Sequence, residues 1–197
     1  MAVVVEHEKR RKQILENALA VFMDDGFENA TFQKIADRCG ITRTILYLYF
    51  KNKKEIFNYS IRQLLIIAED RINVILNDKT LNNTDRITGV LFDIFDLLEE
   101  NRRFLFVILD YLLHLSKSEV NPEYRIRRRT VRLRHFFSSM LIKGIKSGEF
   151  KKVNIKAACD YLYSFIEAAI FELVILQRKK LDKLKETVSF AVKQFSA

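Results

Sequence analysis

The stretch Thr31 to Lys54, TFQKIADRCGITRTILYLYFKNKK, constrains the fold more than any other, because it writes three helix starts and one sharp stop into a short run. Thr31 is placed to accept the first free amide of a helix whose Ile35, Ala36 and Cys39 fall on one side. Gly40 ends that helix, since glycine tolerates the positive φ of a tight helix-to-helix turn. Thr42 can cap a second helix, with Ile45, Leu46 and Phe50 as its buried side. Asn52 and Glu55 form a cap and its reciprocating acid, and open a third helix with Lys53 and Lys54 in its first turn, a start that suits a phosphate. Two short helices about a glycine turn make a helix-turn-helix. The second carries Arg43, Thr44, Tyr47 and Tyr49 on its remaining faces, groups able to reach base edges or phosphate oxygens from a major groove.

The same residues carry a resemblance. Ile14, Ala18, Phe22, Gly26, Phe27, Thr31, Ile35, Ala36 and Gly40, followed by Leu46-Tyr47-Leu48-Tyr49-Phe50 and Lys53, resemble the DNA-binding domain of the TetR/AcrR family over about residues 9 to 57. The resemblance implies an all-helical homodimer that binds a palindromic operator in double-stranded DNA and releases it when a small molecule enters a second domain. It implies that Tyr47, Tyr49 and Lys53 fix register on the backbone while Arg43 and Thr44 reach bases; Thr31 and Thr42 complete the expected DNA-contacting set. Leu48 departs from the pattern, which more often places a polar or aromatic side chain there.

Only five Gly and one Pro occur in 197 residues, too few for a sheet joined by many tight turns, so the expected class is all-α. The expected organisation is a helix-turn-helix domain over residues 1–52 and a helical ligand-binding and dimerisation domain over 53–197, connected by a helix over 53–76. The net charge of +9 is compatible with a nucleic-acid partner, but residues 1–54 hold ten Lys or Arg against seven Asp or Glu, so only +3 lies there. Charge therefore supports the motif and does not replace it.

Other chemistries find little footing. Cys39 and Cys159 sit apart in apolar helical patterns, with no Cys or His at ligand spacing, so they are expected as small core hydrophobes, with no metal site and no cofactor. His7, His114 and His135 have no Ser or Cys elbow beside them, and the chain is not expected to be an enzyme. The longest apolar run, Phe104 to Leu109, is far below the ~18 residues of a membrane span, and the start lacks a basic region before an apolar stretch. A cytoplasmic protein with no membrane partner is expected.

Along the chain, residues 1–8 are expected as a frayed arm. Lys9-Arg-Arg-Lys12 then leads into a helix ending near Gly26; this basic cluster either tracks a phosphate backbone or is a solvated helix start. From Lys53 a helix of about 25 residues runs without a breaker, and Asn77 to Asp85 is the clearest linker. Helices follow over 86–99, 102–116 (apolar nearly all round, hence central), about 123–146 (ending on Gly144 and Gly148 before Phe150), 155–178 and 181–195.

Phe92, Phe95, Phe104, Tyr111, His114, Phe137, Met140, Tyr161 and Phe165 are the candidate lining of an apolar pocket for a small-molecule effector, although most such rings are ordinary core. Ala157, Tyr161, Ala168 and Glu172 are the candidate homodimer interface, since small and aromatic residues on adjoining faces allow close helix approach; a helix buried inside its own domain would look the same. The run Arg125, Arg127, Arg128, Arg129, Arg132 and Arg134 is either a solvated face or a site for an anion or for acids of a neighbouring helix. The expected function is a ligand-responsive transcriptional regulator, acting as a repressor in the family's manner; the alternative is a helical protein-interaction module or a lipid carrier that does not bind DNA.

Overall fold

A computed structural model describes the backbone of residues 2–117 and 123–197, and the side chains of residues 6–115, 131 and 133–197. Among the described residues the regular structure is nine helices, α1 (Ala2–Asn29), α2 (Phe32–Arg38), α3 (Arg43–Tyr47), α4 (Lys53–Asn77), α5 (Asn83–Glu100), α6 (Arg102–Lys117), α7 (Glu123–Lys146), α8 (Ile155–Val174) and α9 (Asp182–Lys193), with one isolated antiparallel bridge between Phe150 and Ser196. The chain is all-α.

Its contacts divide it into two compact units, Met1–Ile67 with Phe106–Ser118, and Ala68–Leu105 with Glu119–Ala197. Helices α4 and α6 each contribute residues to both.

In the first unit the helix starts follow the local signals. Thr31 Oγ1 accepts the Lys34 amide at 3.1 Å, and Thr42 Oγ1 accepts the Ile45 amide at 3.3 Å. Gly40 turns the chain between them at φ 63°. Asn52 Oδ1 accepts the Glu55 amide at 2.9 Å, while the Glu55 carboxylate returns one residue further than the usual box and accepts the Lys51 amide at 2.6 Å. One expectation changes and one holds. Helical backbone begins at Ala2, so the stretch expected to fray continues α1; and α1 is interrupted at Gly26 (φ 76°, ψ 168°), where the sequence predicts its end. The core gathers Ile14, Ala18, Phe22, Phe27, Ile35, Leu46, Phe50 and Phe57. Tyr111 from α6 joins it, with its ring 4.4 Å from Phe27 and 5.1 Å from Phe57.

In the second unit α5 is central, packing on α7, α8 and α9 through a face of Ile87, Val90, Leu91, Ile94 and Phe95. It starts three residues earlier than its sequence signals, inside the expected linker. Asn82 Oδ1 caps this start by accepting the Asp85 amide at 2.8 Å, and Glu149 anchors the same turn: its Oε1 accepts the Thr84 amide and hydroxyl at 2.7 and 2.8 Å and its Oε2 the Asn83 amide and side chain at 3.0 and 2.7 Å. Gly144 is required by Phe150, because a Cβ there would lie 2.1 Å from the ring. Helix α8 stops at Val174, short of the expected 178, because Gln177 takes φ 52° and the Arg178 amide folds back onto Glu172 O at 3.0 Å. Helix α6 is not buried all round, since Phe106 and Leu113 are exposed while Phe104, Leu105, Val107 and Tyr111 are buried.

Candidate nucleic-acid interface

Helix α3 has five residues and buries one side chain, Leu46. Thr42, Arg43, Thr44, Ile45, Tyr47 and Leu48 around it are all exposed. Ile45, expected on the buried side, is 40% exposed, while its neighbour Leu46 is fully buried. So short an element holds through its ends. Thr42 closes the first turn, and the Leu48, Tyr49 and Phe50 amides close the last on Ile45 and Leu46 carbonyls.

The polar side of α3 is ordered internally. Arg43 Nη2 donates to Tyr47 Oη at 3.0 Å, and the guanidinium carbon lies 5.6 Å from the Tyr47 ring centre. The Tyr47 ring rests on Phe32 of α2, 4.7 Å between centroids. Arg43 retains four of five N–H donors, held beside a phenol that is itself fixed to the scaffold. Tyr49 is half-buried and stacks on His7 of α1 at 4.6 Å. Thr31 and Thr42 spend their oxygens as caps, which leaves each exposed hydroxyl hydrogen available to an acceptor.

Lys53 is placed differently from its neighbours. Its ammonium donates to the Phe27 and Glu28 carbonyls, both at 2.8 Å, and lies 4.7 Å from the Phe27 ring centre. Two of its three hydrogens thus hold the end of α1, and one remains.

Residues that the motif did not single out lie beside it. An open cleft of about 500 Å³ is lined by Arg11, Asn52, Lys54, Asn58, Tyr59 and Arg62, together with the capping acid Glu55. The Arg11 guanidinium sits 5.1 Å from the Phe50 ring centre and 4.5 Å from that of Tyr59, and its buried Nε has no partner among the described residues. Lys54, Asn58 and Arg62 recur every four residues along one face of α4, a signal present in the sequence.

The expected pocket residues are divided between the two units. Phe95, Phe104, Phe137, Met140 and Phe165 are buried in the second unit, and Phe92 is half-buried under the Lys185 ammonium, 5.7 Å from its ring centre. Tyr111 and His114 belong to the first unit. His114 is exposed, 3.8 Å from Asp110 one turn away on α6. Tyr161 is 47% exposed and meets Phe165 and Phe195 at its edge.

Of the expected interface, Ala157 and Tyr161 are exposed, while Ala168 and Glu172 are half-buried, Glu172 facing Arg178 at 3.5 Å. The exposed face of α8 runs on through Phe171 and Ile175, at 52% and 60%, and Phe190 of α9 is 68% exposed. The progression 157, 161, 164, 168, 171, 175 is a helical stripe that the sequence already contains. Of the arginine run, the side chains of Arg125, Arg127, Arg128, Arg129 and Arg132 lie outside the described residues. Arg134 pairs with Asp160 of α8 and lies over the Tyr163 ring. Both cysteines are free: Cys159 is buried, Cys39 is half-buried, and burial pushes both thiols up. Among the described residues no group of three metal-ligating side chains occurs, and no helix is long and apolar enough to cross a membrane.

Comparison with known proteins agrees with this geometry. Residues 14–59 match the family described as bacterial regulatory proteins, tetR family. An uncharacterized HTH-type transcriptional regulator of Bacillus subtilis, YfiR, is 30% identical over 187 residues, covering 91% of this chain and 88% of that protein. The HTH-type transcriptional repressor KstR2 of Mycobacterium tuberculosis is 29% identical over 157 residues, covering 80% and 76%. In fold, the chain is similar to the transcriptional regulator FadR of Bacillus subtilis solved in complex with stearoyl-CoA, with a TM-score of 0.71, 23% identity and coverage of 92% and 96%.

Proposed function

The chain belongs to the TetR family of bacterial regulatory proteins and is a ligand-responsive transcriptional regulator, and from that premise we propose that it is a repressor that binds a palindromic operator as a homodimer and is released by an apolar or amphipathic effector. The observation that carries the DNA half is the exposure of every side chain from Thr42 to Leu48 except Leu46. A helix kept only for packing would bury more of itself.

In this reading Arg43 and Thr44 meet base edges, and Tyr47 holds Arg43 in register while its hydroxyl hydrogen serves a backbone phosphate. Tyr49, the free hydroxyl hydrogens of Thr31 and Thr42, and the remaining hydrogen of Lys53 serve phosphates, with Arg11, Lys54 and Arg62 extending that contact along the cleft. The exposed stripe of α8 supports pairing with a second copy, which sets two heads about one helical turn of DNA apart. The stearoyl-CoA held by the structurally similar FadR supports an effector with a substantial apolar part, for which Phe95, Phe104, Phe137, Phe165 and Met140 of the second unit are the proposed lining. An effector that favours a head separation unsuited to the half-sites lowers DNA affinity, and DNA must weaken the effector by the same factor.

The test is titration of the full-length protein, native and with Arg43→Ala or Tyr47→Ala, against the DNA upstream of its own coding region at several salt concentrations. Native protein should bind with a steep salt dependence, and Arg43→Ala should weaken binding roughly tenfold to a hundredfold. Absence of duplex binding at low salt would instead favour a head that contacts protein, or a lipid carrier.

A further inference from the structure

Leu48 is 74% exposed, more than any other large apolar side chain among the described residues. Its position is fixed, because its backbone is helical (φ -69°, ψ -21°) and its amide closes α3 on the Ile45 carbonyl at 3.1 Å. It stands three residues after the 40%-exposed Ile45, so these two side chains form an aliphatic strip. The neighbouring strip, Arg43 and Tyr47, is polar and tied together by its own hydrogen bond. Helix α3 thus offers two different chemistries side by side on its exposed surface.

In the major groove the C5 methyl of thymine is the one methyl group on a base edge; cytosine carries only a hydrogen at that carbon, and the polar features there are donors and acceptors. A leucine carried into that groove gains only where it meets such a methyl, and elsewhere it strips water from base edges without replacing their hydrogen bonds. We propose that Leu48 is a specificity-determining residue whose isobutyl group packs on a thymine methyl, with Ile45 behind it, so that each operator half-site carries a thymine at that position. The proposal rests on the DNA-binding reading of the head.

The experiment uses the full-length protein and duplexes that it selects from a random-sequence pool. Each thymine of a selected half-site is replaced in turn by deoxyuridine, which removes the methyl and leaves the pairing unchanged. One substitution should weaken binding by native protein about fourfold per half-site, the worth of one buried methyl-sized group. Leu48→Ala should bind the thymine and uracil duplexes equally, with an unchanged melting temperature because the side chain is exposed, and Leu48→Met should keep the discrimination. A flat scan with native protein, or a Leu48→Ala variant that still distinguishes the two duplexes, overturns the assignment while leaving the regulator reading intact. Failure of native protein to select any duplex would remove both.

Discussion

In the first unit α2, α3 and α4 each start on a side chain three residues before the amide that it accepts, from Thr31, Thr42 and Asn52. In the second, the first turn of α5 is held by Asn82 from nearby but also by Glu149, 65 residues further along from Thr84, and the approach to α9 is held by Glu99, whose Oε1 accepts the Leu181 amide at 2.9 Å. The difference separates two ways of making a helix end safe. Local caps let α3 exist as five residues with one buried side chain, free to spend the rest of its surface on a partner. Remote carboxylates make α5 depend on the end of α7 being folded, so the second unit should lose its structure as a whole rather than helix by helix.

The largest effect expected from this contrast is on Glu149. Replacing it with Ala leaves the Asn83 and Thr84 donors without their acceptor and should cost about 2–4 kcal/mol in urea unfolding, with hydrogen exchange rising throughout α5. A rise confined to the first turn would show that α5 is capped well enough by Asn82 alone.

Acid should remove part of the same stabilisation. Burial pushes the Glu149 carboxyl up, but its hydrogen bonds from Thr84 and Asn83 outweigh that and leave its folded pKa below the ordinary glutamate value. The contribution is therefore complete above the unfolded value and is lost as pH falls through the folded one. The urea midpoint should drop between neutral and acid buffer by more in native protein than in Glu149→Gln; equal drops would assign the acid sensitivity elsewhere.

Next in size is Thr42→Ala, expected to cost about 1 kcal/mol and to act only on α3. Exchange at Ile45 and Leu46 should rise while α5 stays protected, and a response in α5 would contradict the local character of the head. Smallest is Arg62→Gln, with no expected change in stability. If the cleft follows a phosphate, the log-log salt slope of operator binding should fall in magnitude by about 0.9 for each phosphate that is no longer neutralised, with sequence preference unchanged.

The same contrast governs how much of the molecule is legible in its sequence. Gly40, Thr31, Thr42 and Asn52 announce α2, α3 and α4 because cap and amide lie within one turn in sequence. The start of α5 is only half legible: Asn82 caps the Asp85 amide from three residues away, as Asn52 does for α4, but the second anchor, Glu149, is seen only in the fold. Side-chain direction is hidden as well. Lys53 turns inward to two carbonyls while Lys54 faces the cleft, although both are lysines in one helical turn. Arg11 of α1 lies over the rings of Phe50 and Tyr59, a meeting of residues about 40 and 50 positions apart that only the fold brings about. Ile45 is apolar and adjacent to Leu46, which predicts burial, but in the fold only Leu46 is covered.

Tyr111 adds a constraint on modularity. A reader of DNA that ended with its own helix-turn-helix could be cut out and spliced to any sensor, but here a ring supplied from beyond residue 105 closes over Phe27 and Phe57, with a buried hydroxyl that has no partner among the described residues. A fragment trimmed at Ile67 would bare those faces to water. Anyone building chimaeras from this chain would have to transplant the α6 segment with the head, or design a plug of the same shape.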